Sequence, residues 1–269
     1  METKNFDYIK NNIASIKSKI EEVKKLNNIK YNIDIVAVTK TFSAFEAFEA
    51  YKYGINIFGE NKVQEAIQKI DEFKKIYNSN LNLLIEKDVY SQNEDNINFP
   101  FKWYMIGKLQ TNKVKKAIEY FDGIQSIDRE ELVNEIIKRL EINDDKEQNL
   151  KKIDKKIEIL FEVNISHEPQ KSGVFPEDLF KLIEYTLNKK CRNLIIKGLM
   201  TIGSFTDNID VKNREFEEMK KLFERSRELF GKELFEILSM GMSNDYDIAI
   251  KHGANMVRIG TSIFGKRNY

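Results

Sequence analysis

The sequence predicts a single (β/α)8 barrel, and three observations carry the prediction. Short apolar, β-branched runs recur along the chain, the pattern of strands buried on both faces of a parallel sheet. Each run is followed by apolar residues at helical spacing, so strand and helix alternate eight times from Ile33 onward. The length, 269 residues, suits one large core, and neither an internal repeat nor a flexible linker divides it. Eight parallel strands at this spacing close most naturally into a barrel, with a doubly wound open sheet as the structural alternative. Residues 1–269 are therefore read as one domain.

The elements follow in order. Residues 4–28 carry Phe6, Ile9, Ile13, Ile16, Ile20, Val23 and Leu26 in steps of three and four, an extra N-terminal helix that covers a barrel face or end. The first strand, I-D-I-V-A-V-T-K (Ile33 to Lys40), ends in a lysine. Ser43 and Glu46 form a capping box for a helix to Tyr53, and Gly54 ends it. Ile55 to Phe58 make the second strand, Gly59-Glu60-Asn61 its loop, and Val63, Ala66, Ile67, Ile70 and Phe73 stripe the next helix. Residues 77–99 read as an irregular excursion. Phe101 to Ile106 and Gly123 to Ile127 are strands three and four, with a helix near Val114 to Tyr120 between them. Asp128 is placed to cap the helix that carries Leu132, Val133, Ile136, Ile137 and Leu140. Residues 141–156 form a charged connector, a solvated loop or helix extension. Strand five spans 157–164 and leads to a helix near Pro176 to Asn188. Leu194 to Leu199, Phe235 to Leu238 and Asn255 to Ile259 complete the strands, with helices over Asn213 to Phe230 and Ser243 to His252 and a short last one.

Composition excludes several classes. Lys+Arg (44) and Asp+Glu (43) nearly balance, which argues against nucleic acid or an anionic membrane as partner. Cys191 is the single cysteine, so there is no intrachain disulfide and no thiolate cluster; His167 and His252, the two histidines, make a histidine zinc site improbable and read as surface or helix-end residues. No signal peptide or membrane-spanning run is recognisable, and the expected location is the cytoplasm.

Two features carry chemistry. Lys40 stands at the carboxyl end of a buried strand, where α/β folds bind ligands, and a lysine there is suited to lose its proton and attack a carbonyl. The same position would also let an ordinary ammonium reach water. The second feature is a pair of loops, L-S-M-G-M-S-N-D (238–245) after strand seven and R-I-G-T-S-I-F-G (258–265) after strand eight. Glycine permits close backbone approach, hydroxyls add donors, and Ser243 is read as opening a helix whose free N–H groups face an anion. Barrels often bind phosphate between these two loops. Arg258, two residues before Gly260, could pair with an acid or address a ligand ring. A lysine across from a phosphate site fits pyridoxal phosphate held as a Schiff base; a sugar-phosphate aldolase using a lysine imine fits the same features.

Taken together, V-A-V-T-K, F-G-E-N-K-V-Q-E, W-Y-M-I-G-K-L-Q-T-N-K, K-S-G, K-G-L-M, L-S-M-G-M-S-N-D and V-R-I-G-T-S-I-F-G-K-R resemble the YggS/PROSC family of pyridoxal phosphate homeostasis proteins, in family order from Val36 to Arg267. The resemblance implies a TIM barrel of the alanine racemase N-terminal-domain type. It implies pyridoxal 5'-phosphate on Lys40, with phosphate at Ser243, Gly260 and Thr261, Met240 in the same motif, and Asn61 near the cofactor. Arg258 matches the arginine that faces the pyridine nitrogen; a permanent cation there disfavours the protonated ring that makes a strong electron sink. One departure is Trp103-Tyr104, where the family motif usually has a histidine before I-G; a polar tip is kept and proton chemistry near neutral pH is lost.

The implied function is a carrier or buffer of the cofactor, without catalysis of its own, acting as a monomer toward pyridoxal phosphate-dependent apoenzymes. The alternatives are a racemase-like enzyme and the lysine-imine aldolase. Racemisation needs proton donors on both faces of the substrate carbon. In alanine racemase one comes from a second, β-rich domain, for which the sequence after Ile259 leaves ten residues.

Overall fold

The structure, a computed structural model, describes residues 6–80, 99–145 and 155–265. Its strands are β1 (Asp34–Val38), β2 (Ile57–Glu60), β3 (Lys102–Met105), β4 (Gly123–Ile127), β5 (Ile157–Val163), β6 (Leu194–Thr201), β7 (Ile237–Ser239) and β8 (Met256–Ile259). They pair in chain order, all parallel, and β8 closes on β1 through Asp34 opposite Met256 and Ile35 opposite Val257. The closed barrel removes the open-sheet alternative.

Alternation along each strand sorts side chains into two cores. Val36, Val38, Ile57, Tyr104, Ile106 and Met256 fill the barrel interior. Ala37, Phe58, Trp103, Ile124 and Val257 face outward onto the helices in the larger core. Gly123 makes room for an interior ring: a Cβ there would lie 2.3 Å from Tyr104 Cε1.

The helices are α1 (Asp7–Leu26), α2 (Ala44–Lys52), α3 (Val63–Ser79), α4 (Val114–Tyr120), α5 (Glu130–Asp145), α6 (Leu179–Asn188), α7 (Ile209–Phe230), α8 (Tyr246–Lys251) and α9 (Thr261–Phe264). The α1 stripe is buried at Ile9, Ile13, Ile16, Ile20 and Val23, against α2, α8 and α9 beside the seam where β8 meets β1. The Ser43–Glu46 capping box is present. Beyond α2, Gly54 has φ +82°, and the Ile55 N–H donates to Ala50 O at 3.2 Å, satisfying an end carbonyl.

Several boundaries differ from expectation. β2 runs on through Gly59 to Glu60, because Glu60 is fully buried against α3. Tyr77 is a buried residue of α3, not part of an irregular excursion; most of that excursion, and the connector beyond Asp145, lies outside the described residues. Asp128 pairs with the Arg129 side chain. The helix expected from Ser243 begins at Tyr246, since Asp245 and Tyr246 direct their N–H groups to Met242 O. α7 begins at Ile209, capped by Asn208, whose side chain accepts from Asp210 N at 2.9 Å.

Candidate functional site at the carboxyl mouth of the barrel

Lys40 lies two residues past β1 in a turn that is tightly held on both sides. Thr39 donates its N–H to Gly59 O at 3.1 Å and its hydroxyl to Glu60 Oε1 at 2.5 Å. The Lys69 ammonium, from α3, reaches both Thr39 O and Glu60 Oε1 at 2.5 Å. This buried clamp sits outside the barrel wall and fixes where the Lys40 side chain starts. Thr41 follows at φ +70°, an unfavourable region for a β-branched residue.

The two late loops are tied together. Gly241 has φ +89°, and a Cβ there would lie 2.5 Å from Ala249 Cβ, so only glycine lets the β7 loop pack on α8. The Asp245 carboxylate accepts from Met242 N at 2.6 Å. Arg258 N donates to Gly241 O at 3.0 Å, and the Ser243 hydroxyl accepts from Ser262 N at 3.3 Å, joining the β7 loop to the start of α9.

Arg258 is buried inside the barrel and is not part of a rim salt bridge. Its Nη1 donates to Ser239 Oγ at 2.7 Å and its Nη2 to Thr201 O at 2.6 Å, while Ser239 donates on to Gln125 Oε1 at 2.8 Å. Burial lowers the guanidinium pKa to about 10, opposed by the charges of Glu162 and Asp245, and leaves it a cation at neutral pH. Glu162 on β5 is raised to about 7 by burial, reinforced by Asp128 and opposed by Arg258 and Lys108.

Lys40, Ser243, Arg258, Gly260 and Thr261 line one cavity of about 660 Å³ at this mouth. Five residues chosen on motif grounds, from β8 and from the segments that follow β1, β7 and β8, thus meet in one place. Met240 does not line it; its fully buried side chain belongs to the core between sheet and helices. Asn61 follows β2 with its backbone against Gly107, where a Cβ would fall 2.5 Å from Asn61 O, and it too stays off the cavity wall. Lys212, Asp245 and the Ser204–Asp207 loop also line the cavity, and motif reasoning missed them. Asp245 was inside a quoted motif; Lys212 carried no signal, since a lysine on a charged helix resembles any solvated one.

Tyr104 lies far from this mouth. It is buried in the interior and hydrogen-bonds Glu158 near the amino end of β5; burial and that carboxylate raise its pKa. His252 ends α8 and hydrogen-bonds Asn213 at 2.9 Å, and His167 stacks on Phe175. Among the described residues no helix is long and apolar enough to cross a membrane.

Comparison with known proteins bears on the fold and the family. The alanine racemase, N-terminal domain family profile matches residues 5–268. The chain is 35% identical to the pyridoxal phosphate homeostasis protein of Haemophilus influenzae over 97% of both chains. It is 34% identical to that of Aquifex aeolicus over 87% of both. Among solved structures, PipY of Synechococcus elongatus with PLP bound superposes with a TM-score of 0.71 at 26% identity, covering 96% of this chain and 100% of PipY. Alanine racemase from Corynebacterium glutamicum shares the fold, with a TM-score of 0.61 at 13% identity over 97% of this chain and 62% of that enzyme. By its profile match and its curated relatives, the chain belongs to the pyridoxal phosphate homeostasis protein family, built on the alanine racemase N-terminal domain fold.

Proposed function

We propose that this protein binds pyridoxal 5'-phosphate at the carboxyl mouth and serves intracellular homeostasis of that cofactor as a carrier or buffer. The observation that carries the reading is the convergence of Lys40, Arg258, Ser243, Gly260 and Thr261 on one cavity. The donor set fits the group. Hydroxyls from two cross-linked loops suit a phosphate, an amine suits an aldehyde, and a buried cation suits an unprotonated ring nitrogen.

When bound, the cofactor supplies an aldehyde and, if its ring nitrogen is protonated, an electron sink. Lys40 would hold the cofactor at its aldehyde carbon through the side-chain amine. Ser243 and Thr261 would hold the phosphate. Arg258, kept cationic and anchored by Ser239 and Thr201, would withhold a proton from the ring nitrogen, which favours retention over amino-acid chemistry. The relatives' names accord with a non-catalytic role. We place the protein in the cytoplasm as a monomer, with pyridoxal phosphate-dependent apoenzymes as recipients.

Borohydride reduction of the cofactor-loaded protein followed by peptide mapping tests the site: the label is expected on Lys40, and a label on another lysine overturns the assignment. Hydrogen–deuterium exchange at the α-carbon across a panel of amino acids tests the carrier reading. Exchange at about one per second or faster that vanishes in Lys40→Ala would show a catalyst instead.

A further inference from the structure

Lys212 stands in the first turn of α7 and is 7% exposed. Glu215, one turn on, accepts the Ser204 N–H at 2.8 Å and bonds its hydroxyl, pinning the β6–α7 loop to the helix beside the lysine. Lys212 lines the same cavity as Ser243, Gly260 and Thr261. Its ion-pair partner among the described residues is Asp245, with Nζ to Oδ2 at 3.9 Å, too long for a hydrogen bond. The other Asp245 oxygen is engaged by Met242 N at 2.6 Å. The Lys212 stem is buried while Nζ is not among the sealed, unpartnered polar atoms, so its N–H donors remain accessible to a ligand in the cavity. Ser243 and Thr261, the hydroxyls of this cavity assigned to the phosphate, are neutral donors, and a dianion beside them calls for a cation as well. Arg258 is committed to Ser239 and Thr201, and Lys40 to the aldehyde end.

We propose that Lys212 is the cation that neutralises the phosphate monoester of the ligand, and that Asp245 holds it in place by a loose ion pair that the phosphate displaces. Lys212 thereby makes the site selective for the phosphorylated aldehyde over the free one. The ligand's identity rests on the function proposed above; the assignment of the residue does not.

The test measures equilibrium dissociation constants of the full-length protein for pyridoxal 5'-phosphate, pyridoxal and inorganic phosphate. In Lys212→Met, affinity for the two phosphate-bearing probes is expected to fall about tenfold or more while pyridoxal binding is kept; Lys212→Arg restores most of the loss. Asp245→Asn, which frees the lysine while leaving an acceptor for Met242 N, is expected to tighten phosphate binding. An unchanged ratio of pyridoxal 5'-phosphate to pyridoxal affinity in Lys212→Met overturns the inference while the binding site stands. Should Lys212→Met fail to fold, Asp245→Asn decides, since weaker or unchanged phosphate binding there also overturns it. A wild-type protein that binds none of the three probes overturns the proposed function as well.

Discussion

At the amino end of the barrel, Lys102 meets Glu158 at 2.8 Å and Lys197 meets Glu236 at 2.6 Å. Trp103 N donates to Asp122 at 2.7 Å, and Tyr104 bonds Glu158. At the carboxyl mouth, Lys212 stands 3.9 Å from its acid, and Ser243 and Thr261 turn toward a cavity. The two ends enclose similar space, about 700 Å³ below and 660 Å³ above, and both are lined by lysines and carboxylates. Volume and composition therefore do not separate them. What separates them is how far the charges satisfy one another. Close pairs below hold the barrel bottom together, while the loosely paired Lys212 above leaves work for a ligand.

The sharpest way to break this contrast is to remove the phosphate hydroxyls. Ser243→Ala combined with Thr261→Val should weaken pyridoxal 5'-phosphate binding on the order of 100-fold or more, since each charge-assisted hydrogen bond is worth about 1.5–3 kcal/mol. Lys102→Met at the other end should leave that binding unchanged. If both variants bind like wild type, the mouth is not the phosphate site.

A second probe uses the polar layer between the two ends. Glu162 is buried, with Oε2 unmet by a hydrogen bond, and its carboxyl is raised to about 7. The folded state thus holds the proton more tightly than the unfolded chain does. Stability from the neutral acid is fully present below the unfolded pKa, about 4.3, and is lost as pH rises through about 7. The loss is on the order of 3 kcal/mol at 1.36 kcal/mol per unit. Glu162→Gln should match wild type near pH 4 and exceed it at pH 8 in denaturant unfolding. A Gln variant less stable at pH 8 would mean that attraction to Arg258 outweighs desolvation.

The layer containing Glu162 shows where sequence reading stopped. The eight strands were legible because buried runs and helical stripes alternate, and the two late loops because glycine and hydroxyls cluster there. Gln125, Ser239 and Glu162 were not, because an apolar run buried on both faces does not reveal which residues point into the barrel. Gly59 suggested a turn, yet it is an interior strand position, and the strand runs one residue further to bury Glu60. Ser243 suggested a helix start, yet Met242 O draws the first helical N–H groups and moves the start to Tyr246. Met240 shares a motif with Ser243, but it stands just past β7 and turns into the core between sheet and helices, opposite to Ser239, which meets Arg258 inside the barrel.

Tyr104→Phe tests the amino end directly. Removing the hydroxyl deletes one buried hydrogen bond to Glu158, whose other oxygen still meets Lys102. The expected cost is about 1–2 kcal/mol of stability, read from the denaturant midpoint, with no change in cofactor affinity. A variant that keeps its stability and loses the cofactor would reverse the roles assigned to the two ends.

The smallest effect concerns backbone strain. Asn28 and Lys190 have φ of +54° and +53° just past the ends of α1 and α6, where such a residue ordinarily terminates a helix. Thr41, at the mouth, has φ +70° immediately after Lys40 and ends no helix. Holding a β-branched residue there costs about 1–2 kcal/mol, and the Glu60–Lys69 clamp on Thr39 is what fixes the chain just before it. Thr41→Gly relieves the strain but adds freedom to the unfolded chain, worth about 0.4–1 kcal/mol in the opposite sense. The net expectation is a gain of up to about 1 kcal/mol in stability. Freed of the strained turn, the Lys40 side chain should sample more orientations, so covalent capture of the aldehyde slows a few-fold while phosphate affinity holds. Stability and capture would then move in opposite directions, the mark of strain held for function. If Thr41→Gly lowers both together, the turn is a structural element like those at the amino end, and the contrast between the ends does not extend to the backbone.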